Sequence, residues 1–207
     1  MKTILFGGTF NPVHLGHLHV LHSIAFHTDY ERVIILPASQ PPHKAYRQVI
    51  TDSQRLELLH LAVEDYHRLY PDDRALECII DTCEIDRGGK SYMYDSVMDI
   101  HTRYEITGTL ALAIGDDLFP TLKDWYRGED LIQLVHFVVI TRDQQNENRV
   151  FPNQLDGEFL EVAPVRCSST SIRDQLKSTT GCLYSLKEQL SESVLDYIID
   201  YGLYKND

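Results

Sequence analysis

Short apolar, often β-branched runs alternate along this chain with stretches whose apolar residues recur at helical spacing. Residues 3–6 form the first run, and Gly7-Gly8 ends it, which predicts a buried strand feeding a tight turn. Leu18, Leu21 and Ala25 lie near helical spacing, so a helix is expected over 16–27. Val33-Ile34-Ile35-Leu36, closed by Pro37, predicts the second strand. Residues 37–44 contain Pro41-Pro42, whose locked φ and missing N–H groups exclude helix and leave a stiff exposed loop. Thr51 and Gln54 make a capping box for a helix with an apolar stripe of Leu56, Leu59, Ala62 and Val63.

Beyond Pro71, the loosely alternating run 76–85 before Gly88-Gly89 predicts a third strand. Residues 91–104 read as a helix, 109–114 as a strand ended by Gly115, 134–141 as a strong strand and 159–162 as a short one. A Ser-capped helix is expected over 169–177, and a last helix over 186–199 with Leu190, Val194, Leu195 and Ile198 on one face. There is no internal repeat and no low-complexity linker. Strands separated by helices, joined by short turns, argue for an α/β fold in a single domain over 1–207: a Rossmann-like parallel sheet with helices on both faces. Such sheets bind ligands at the carboxyl ends of their strands, where the chain order reverses.

Composition narrows the chemistry. A chain of 207 residues, 43% hydrophobic and 24% charged, is ordinary for a globular core and excludes a disordered or fibrous one. Its net charge of −12 argues against a broad basic face for nucleic acid, while leaving room for a local pocket that takes a small anion. No stretch approaches the ~20 apolar residues of a membrane span, and the N-terminal apolar run is too short for a signal peptide. The four cysteines show no C-x-x-C spacing, so reduced thiols and a cytoplasmic location are expected, with neither membrane nor nucleic acid as partner. Zinc at Cys78 and Cys83 is a poor reading, since no matching ligands lie nearby in sequence. A homo-oligomer is compatible with all of this.

The first βα turn carries the most chemistry: Gly7-Gly8-Thr9-Phe10-Asn11-Pro12-Val13-His14-Leu15-Gly16-His17. Two glycines let the backbone approach a ligand and offer amide N–H groups to phosphate oxygens. The helix behind adds its own unpaired N–H groups and the positive end of its dipole. His14 and His17, three apart, can face one side and donate to the same oxygens. Two other readings stay open for these residues. One is an ordinary turn with structural histidines. The other is a metal site among the five histidines between His14 and His27, which have no Cys or carboxylate among them and no H-E-x-x-H spacing.

His14-x-Gly16-His17 behind Gly7-Gly8-Thr9-Phe10 resembles the signature of the nucleotidyltransferase superfamily of adenylyltransferases. Ser168-Ser169-Thr170-Ser171-Ile172-Arg173 resembles its second motif, physically a helix start with hydroxyl donors and a forked cation one turn inside. Pro41-Pro42-His43-Lys44, Ser91-Tyr92-Met93-Tyr94-Asp95-Ser96, Ile114-Gly115-Asp116-Asp117, Trp125-Tyr126 and the tail over 194–204 narrow the resemblance to the bacterial nicotinate-mononucleotide adenylyltransferases. The resemblance covers nearly the whole chain.

What it implies is a nucleotidyltransferase-type fold and an enzyme of NAD biosynthesis. The adenylyl group of ATP would pass to nicotinate mononucleotide by in-line attack without a covalent enzyme intermediate, giving nicotinate adenine dinucleotide and pyrophosphate. NAD is then a downstream product and not a cofactor; Mg²⁺ would be bound through substrate phosphates, with no metal site of the protein's own. His14 and His17 would contact the ATP phosphates, and Arg173 with Ser168, Ser169 and Thr170 would hold the β- and γ-phosphates. Lys44 would supply charge to either substrate's phosphates. The Gly7, Gly8, Thr9, Phe10 and Gly16 backbone would approach ATP, Gly115 and Asp117 its ribose, and Arg142 would stack on adenine. Trp125 would stack on the pyridine ring, with backbone near Met93 and Tyr126 receiving its carboxylate beside Tyr92.

Three departures from the family pattern stand out. Met93 replaces a threonine, which bears on the preference for nicotinate over nicotinamide; Ser96 replaces another but keeps its hydroxyl, so little is lost; and Cys167 replaces an isoleucine and reads as a packing change. Rival readings are a nicotinamide-mononucleotide or phosphopantetheine adenylyltransferase, a class I tRNA synthetase and a non-catalytic nucleotide-binding protein. The phosphopantetheine enzymes lack the Trp125 loop, and a chain this short and acidic has no anticodon-binding region.

Overall fold

Strand β1 (Thr3–Gly8) is buried at its first four residues, which send Ile4 and Phe6 into one core and Leu5 into another. A parallel strand covered on both faces must read as a continuous apolar run, as this one does. The computed structural model describes residues 1–42, 49–141, 151, 155–178 and 183–205.

After β1 come α1 (Leu15–His27), β2 (Arg32–Pro37), α2 (Asp52–Leu69), β3 (Glu77–Ile80), α3 (Cys83–Arg87), α4 (Met93–Arg103) and β4 (Leu110–Gly115). A 3₁₀ helix (Phe119–Asp124) leads to α5 (Gly128–Leu134) and β5 (Val135–Thr141), followed by β6 (Gly157–Glu161), α6 (Ser169–Lys177), α7 (Leu183–Lys187) and α8 (Glu192–Asp200). The six strands lie in the order β3-β2-β1-β4-β5-β6, and every neighbouring pair is parallel. The chain works outward from β1 to β3 and then crosses back to lay β4 on the other side of β1. The connections leaving Gly8 and Gly115 therefore diverge to opposite faces and open a crevice between them. One core packs α1, α2, α6 and α8 against the sheet, and the other packs α4, the 3₁₀ helix and α5. Among the described residues no helix is long and apolar enough to cross a membrane.

The expected parallel sheet with helices on both faces is present. Two expected elements differ. The strand over 76–85 stops at Ile80, because Asp81 turns the chain: its carboxylate accepts the Cys83 N–H (2.9 Å), and Thr82 bonds Asp86, so local side-chain bonds replace the ladder. The last helix breaks between α7 and α8, where the Gln189 carbonyl accepts the Leu15 N–H (2.8 Å) at the first turn of α1. Between β4 and β5, where no element was expected, lie the 3₁₀ helix and α5 on either side of Trp125.

Asp81 is almost fully buried and accepts bonds from both Arg103 Nη atoms (2.7 and 2.8 Å) and from the Tyr104 hydroxyl (2.8 Å). Burial alone would raise its pKa, but the bonds from Arg103, Cys83 and Tyr104 outweigh it and lower the carboxyl to about 2. A folded pKa below the unfolded one stabilises the fold above the unfolded value and loses that effect as pH falls through the folded value. Asp81→Asn is therefore expected to cost about 2 kcal/mol at neutral pH and to flatten the loss of stability between about pH 4 and pH 2. Denaturant unfolding of both proteins across that range checks this; an unchanged pH slope would refute it.

Candidate active site

The crevice at the ends of β1 and β4 is a cavity of about 790 Å³. Its first wall is the loop between β1 and α1, and the bonds that shape this loop share a direction. The Gly8 carbonyl accepts the Ala38 N–H (2.8 Å), and the Thr9 carbonyl accepts Arg55 Nη1 (3.0 Å). The Asn11 carbonyl accepts Arg173 Nη1 (2.7 Å), and the Pro12 carbonyl accepts the Ser169 hydroxyl (2.9 Å). Four carbonyl dipoles of one loop are thus bound by donors of the protein, which takes their negative ends out of competition with an anion in the cleft. Phe10 takes a left-handed φ of 45°, with its ring 1% exposed and edge-on to Phe6 and His17 (5.5 and 4.9 Å). Its ring is a plug beneath the loop and does not line the cleft.

His14 is the N-cap residue of α1 and His17 the third residue inside. Their rings stack at 3.7 Å with 27° between planes. His17 Nδ1 accepts the His14 backbone N–H (3.1 Å), so neutral His17 carries its proton on Nε2. Of the two residues between them, Gly16 is the crowded one: a Cβ there would lie 2.9 Å from Cys167 Sγ and 3.0 Å from the His14 ring, so a larger residue would displace one of them. Gly115, at the end of β4, meets the same limit, because a Cβ there would overlap the Asp117 carboxylate.

The opposite wall is the start of α6. The Ser168 hydroxyl caps it by accepting the Ser171 N–H (3.1 Å), and Ile172, fully buried, anchors it. Arg173 Nη2 also reaches the Thr170 hydroxyl (3.3 Å). Through Arg173 and Ser169 the two glycine- and serine-rich motifs, far apart in sequence, share one junction. Cys167, expected to matter only for packing, accepts the Gly16 N–H at 3.2 Å and lies 3.3 Å from His14 Nδ1. Its polar contacts correct that expectation.

The third part is aromatic. Tyr92 caps α4 with Met93 behind it, and Tyr126, half exposed, lies against the Tyr92 ring (4.6 Å). The Trp125 indole N–H donates to the Thr121 hydroxyl (3.0 Å), which holds the indole at the mouth of the cleft. Behind Tyr92 the Ser96 hydroxyl donates to buried Glu84 (2.6 Å) and accepts from Arg87 (2.9 Å), so Ser96 uses the hydroxyl it shares with threonine.

Of the residues picked out in the sequence, Gly7, Gly8, Thr9, His14, Gly16, His17, Tyr92, Met93, Gly115, Asp117, Trp125, Tyr126, Ser168, Ser169, Thr170 and Arg173 all line this cavity. Lys44 and Arg142 lie outside the described residues. Sequence reasoning missed Glu84 and Arg55 and gave Asp116, which lies within the segment 114–117, no role of its own. Glu84 and Asp116 line the cavity, Glu84 from no pattern of its own, and Arg55 looked like one more charged position of α2 although it is 1% exposed.

Comparison with known proteins follows this geometry. A cytidylyltransferase-like family model matches residues 5–175. A probable nicotinate-nucleotide adenylyltransferase of Enterococcus faecalis is 34% identical over 98% of this chain and 84% of its own length. One from Hydrogenobaculum is 30% identical over 99% and 98%. The solved structure of Plasmodium falciparum nicotinic acid mononucleotide adenylyltransferase in complex with NaAD superposes with a TM-score of 0.73 at 18% identity, covering 100% of this chain and 99% of that one.

Proposed function

The chain belongs to the cytidylyltransferase-like family and, within it, to the nicotinate-nucleotide adenylyltransferases; on that premise we propose how its cleft moves the adenylyl group of ATP onto nicotinate mononucleotide. The products are nicotinate adenine dinucleotide and pyrophosphate. A phosphate oxygen of the mononucleotide attacks the α-phosphorus of ATP in line. The bond from that phosphorus to the bridging oxygen breaks, and pyrophosphate leaves with the electron pair. The nucleophile is already ionised at neutral pH, so neither a general base nor a covalent enzyme intermediate is needed. The protein has to align two polyanions and neutralise the charge that spreads over the α-phosphate and the leaving group.

The junction of the two motifs carries this reading: Arg173 and Ser169 reach across to the Asn11 and Pro12 carbonyls at 2.7 and 2.9 Å. It sets two helix N-termini, two imidazoles and a guanidinium around one cavity. We assign His14 and His17 to the α-phosphate and the departing oxygen, and Arg173 with the hydroxyls of Ser168, Ser169 and Thr170 to the β- and γ-phosphates. Asp117 accepts from the ribose hydroxyls of ATP. Lys44 and Arg142, which follow β2 and β5 in the sequence, supply charge and an adenine platform. Mg²⁺ bound to the phosphates would share in neutralising their charge, with substrate oxygens and water as ligands. The donor set fits an ion carried this way. Asp116 and Asp117 offer carboxylates, and among the described residues no three His, Cys, Asp or Glu side chains converge into a cage. A cytoplasmic location belongs to the same reading, in which Cys78, Cys83 and Cys167 stay free thiols.

Trp125 and Tyr126 form the pyridine end. Trp125→Ala is expected to raise KM for nicotinate mononucleotide about tenfold or more and to leave KM for ATP nearly unchanged. Steady-state kinetics varying each substrate in turn decide this, and equal effects on both would reject the stacking role. The decisive experiment mixes the protein, ATP and Mg²⁺ with nicotinate mononucleotide, nicotinamide mononucleotide or phosphopantetheine and follows pyrophosphate. The expected order of kcat/KM is nicotinate first, nicotinamide second and phosphopantetheine inert. Pyrophosphate with none of them, or fastest with phosphopantetheine, would overturn the assignment.

A further inference from the structure

Phe10 keeps a left-handed φ of 45° although it is not glycine, so its backbone is held in a sparsely populated region. The ψ of Thr9 and the φ of Phe10 flank one planar peptide, whose carbonyl and N–H point in opposite directions. A crankshaft rotation would turn that peptide over, make φ negative and leave both neighbours in place. The neighbours are fixed separately. The Ala38 N–H holds the Gly8 carbonyl (2.8 Å), Arg173 holds the Asn11 carbonyl (2.7 Å), and the Phe10 ring packs on Phe6 and His17. None of these contacts acts on the peptide between Thr9 and Phe10. Among the described residues its carbonyl has one donor, Arg55 Nη1 at 3.0 Å.

Arg55 is 1% exposed on α2. Its Nη1 also donates to the Ala38 carbonyl, its Nη2 pairs with Asp52 (2.6 Å), and among the described residues its Nε has no partner. A buried guanidinium with an unmet donor is often less stabilising than an apolar side chain of similar volume, so packing alone does not account for it. Thr9, Asn11 and Ala38 line the cavity, and Arg55 stands behind them. Its bond therefore draws the Thr9 oxygen away from the cleft, and turning the peptide over would carry that oxygen to the opposite side.

We propose that Arg55 is a positioning residue for ATP, whose guanidinium locks the Thr9–Phe10 peptide so that this carbonyl does not face the triphosphate. The affinity part of this proposal rests on the adenylyltransferase reading, whereas the backbone part does not.

The test uses the full-length protein with Arg55→Met, which has no donor, and Arg55→Lys, which keeps a cationic one. A strong intraresidue NOE between the amide and Hα protons of Phe10 marks its positive φ, and calorimetry reads the Kd for ATP at a temperature where every variant is folded. Wild type is expected to show the strong NOE. Arg55→Met is expected to lose it and to bind ATP about tenfold more weakly, a change that lost stability alone would not cause in a folded protein. Arg55→Lys should keep the NOE and stay within about threefold of the wild-type Kd. A wild-type Phe10 without the NOE would overturn the proposal, as would a methionine variant with wild-type NOE and affinity. If the methionine variant fails to fold, the lysine variant still decides, because a change in one readout without the other refutes the link. If the NOE responds as expected but wild type does not bind ATP, the backbone assignment stands and the adenylyltransferase reading fails.

Discussion

His17→Ala is expected to lower kcat by about a hundredfold or more while the protein stays folded. Removing one preorganised donor from a site that stabilises developing charge costs that order in rate, because water cannot replace it in a fixed position at no reorganisation cost. Other bonds hold the fold without this side chain. His17 packs edge-on to Phe10 at 4.9 Å and stacks on His14, but the loop it faces is also held by Arg55, Arg173, Ser169 and Tyr204. Loss of its Nδ1 acceptor also releases the His14 amide. A thermal midpoint within a few degrees of wild type, together with the collapse in kcat, is the expected pair of results. Near-wild-type turnover in this variant would remove the assigned role.

Arg173→Ala should do more, lowering kcat/KM for ATP about a thousandfold, because the guanidinium has two tasks. One nitrogen holds the Asn11 carbonyl at 2.7 Å and another reaches Thr170 at 3.3 Å, which fixes the planar fork along the cleft wall. Its positive charge then stands beside the phosphates without having to be ordered first. Lysine keeps the charge but has no fork, so Arg173→Lys is expected to recover less than tenfold of the loss. α6 should persist in both variants, since fully buried Ile172 anchors it and Ser168 caps its first turn. Kinetics with ATP varied, alongside circular dichroism, separate these effects. Full activity in the lysine variant would show that charge alone is required.

The site was unusually legible in the sequence because its parts are local. A glycine turn after a strand, imidazoles three apart at a helix start, and serines capping a helix with an arginine one turn inside each lie within a few consecutive residues. Every expected lining residue that is described, apart from the Phe10 ring, faces the same cavity. Cys167 was opaque for the converse reason. Its partners Gly16 and His14 stand 151 and 153 positions away, and nothing in its sequence neighbours distinguishes a thiol bonded to an amide from one filling space. Buried Arg55 escaped notice in the same way, its polar role visible only once Thr9 and Ala38 are brought beside it.

Hydrophobic periodicity by itself determined the strands, most helices and the parallel α/β plan, because those depend on which side chains a single segment can bury. Glycine and proline marked the ends of β1, β2 and β4 in the sequence, whereas two other ends became legible only in the folded molecule. β3 gives way at Asp81, whose carboxylate turns the chain at Cys83 and is held there by distant Arg103 and Tyr104, and the last helix breaks where the Gln189 carbonyl is taken by Leu15. Tertiary structure also decided what joins the two motifs: donors on α6 that bind the loop carbonyls. Contacts between distant positions leave no period along the chain, so only the folded molecule reveals them.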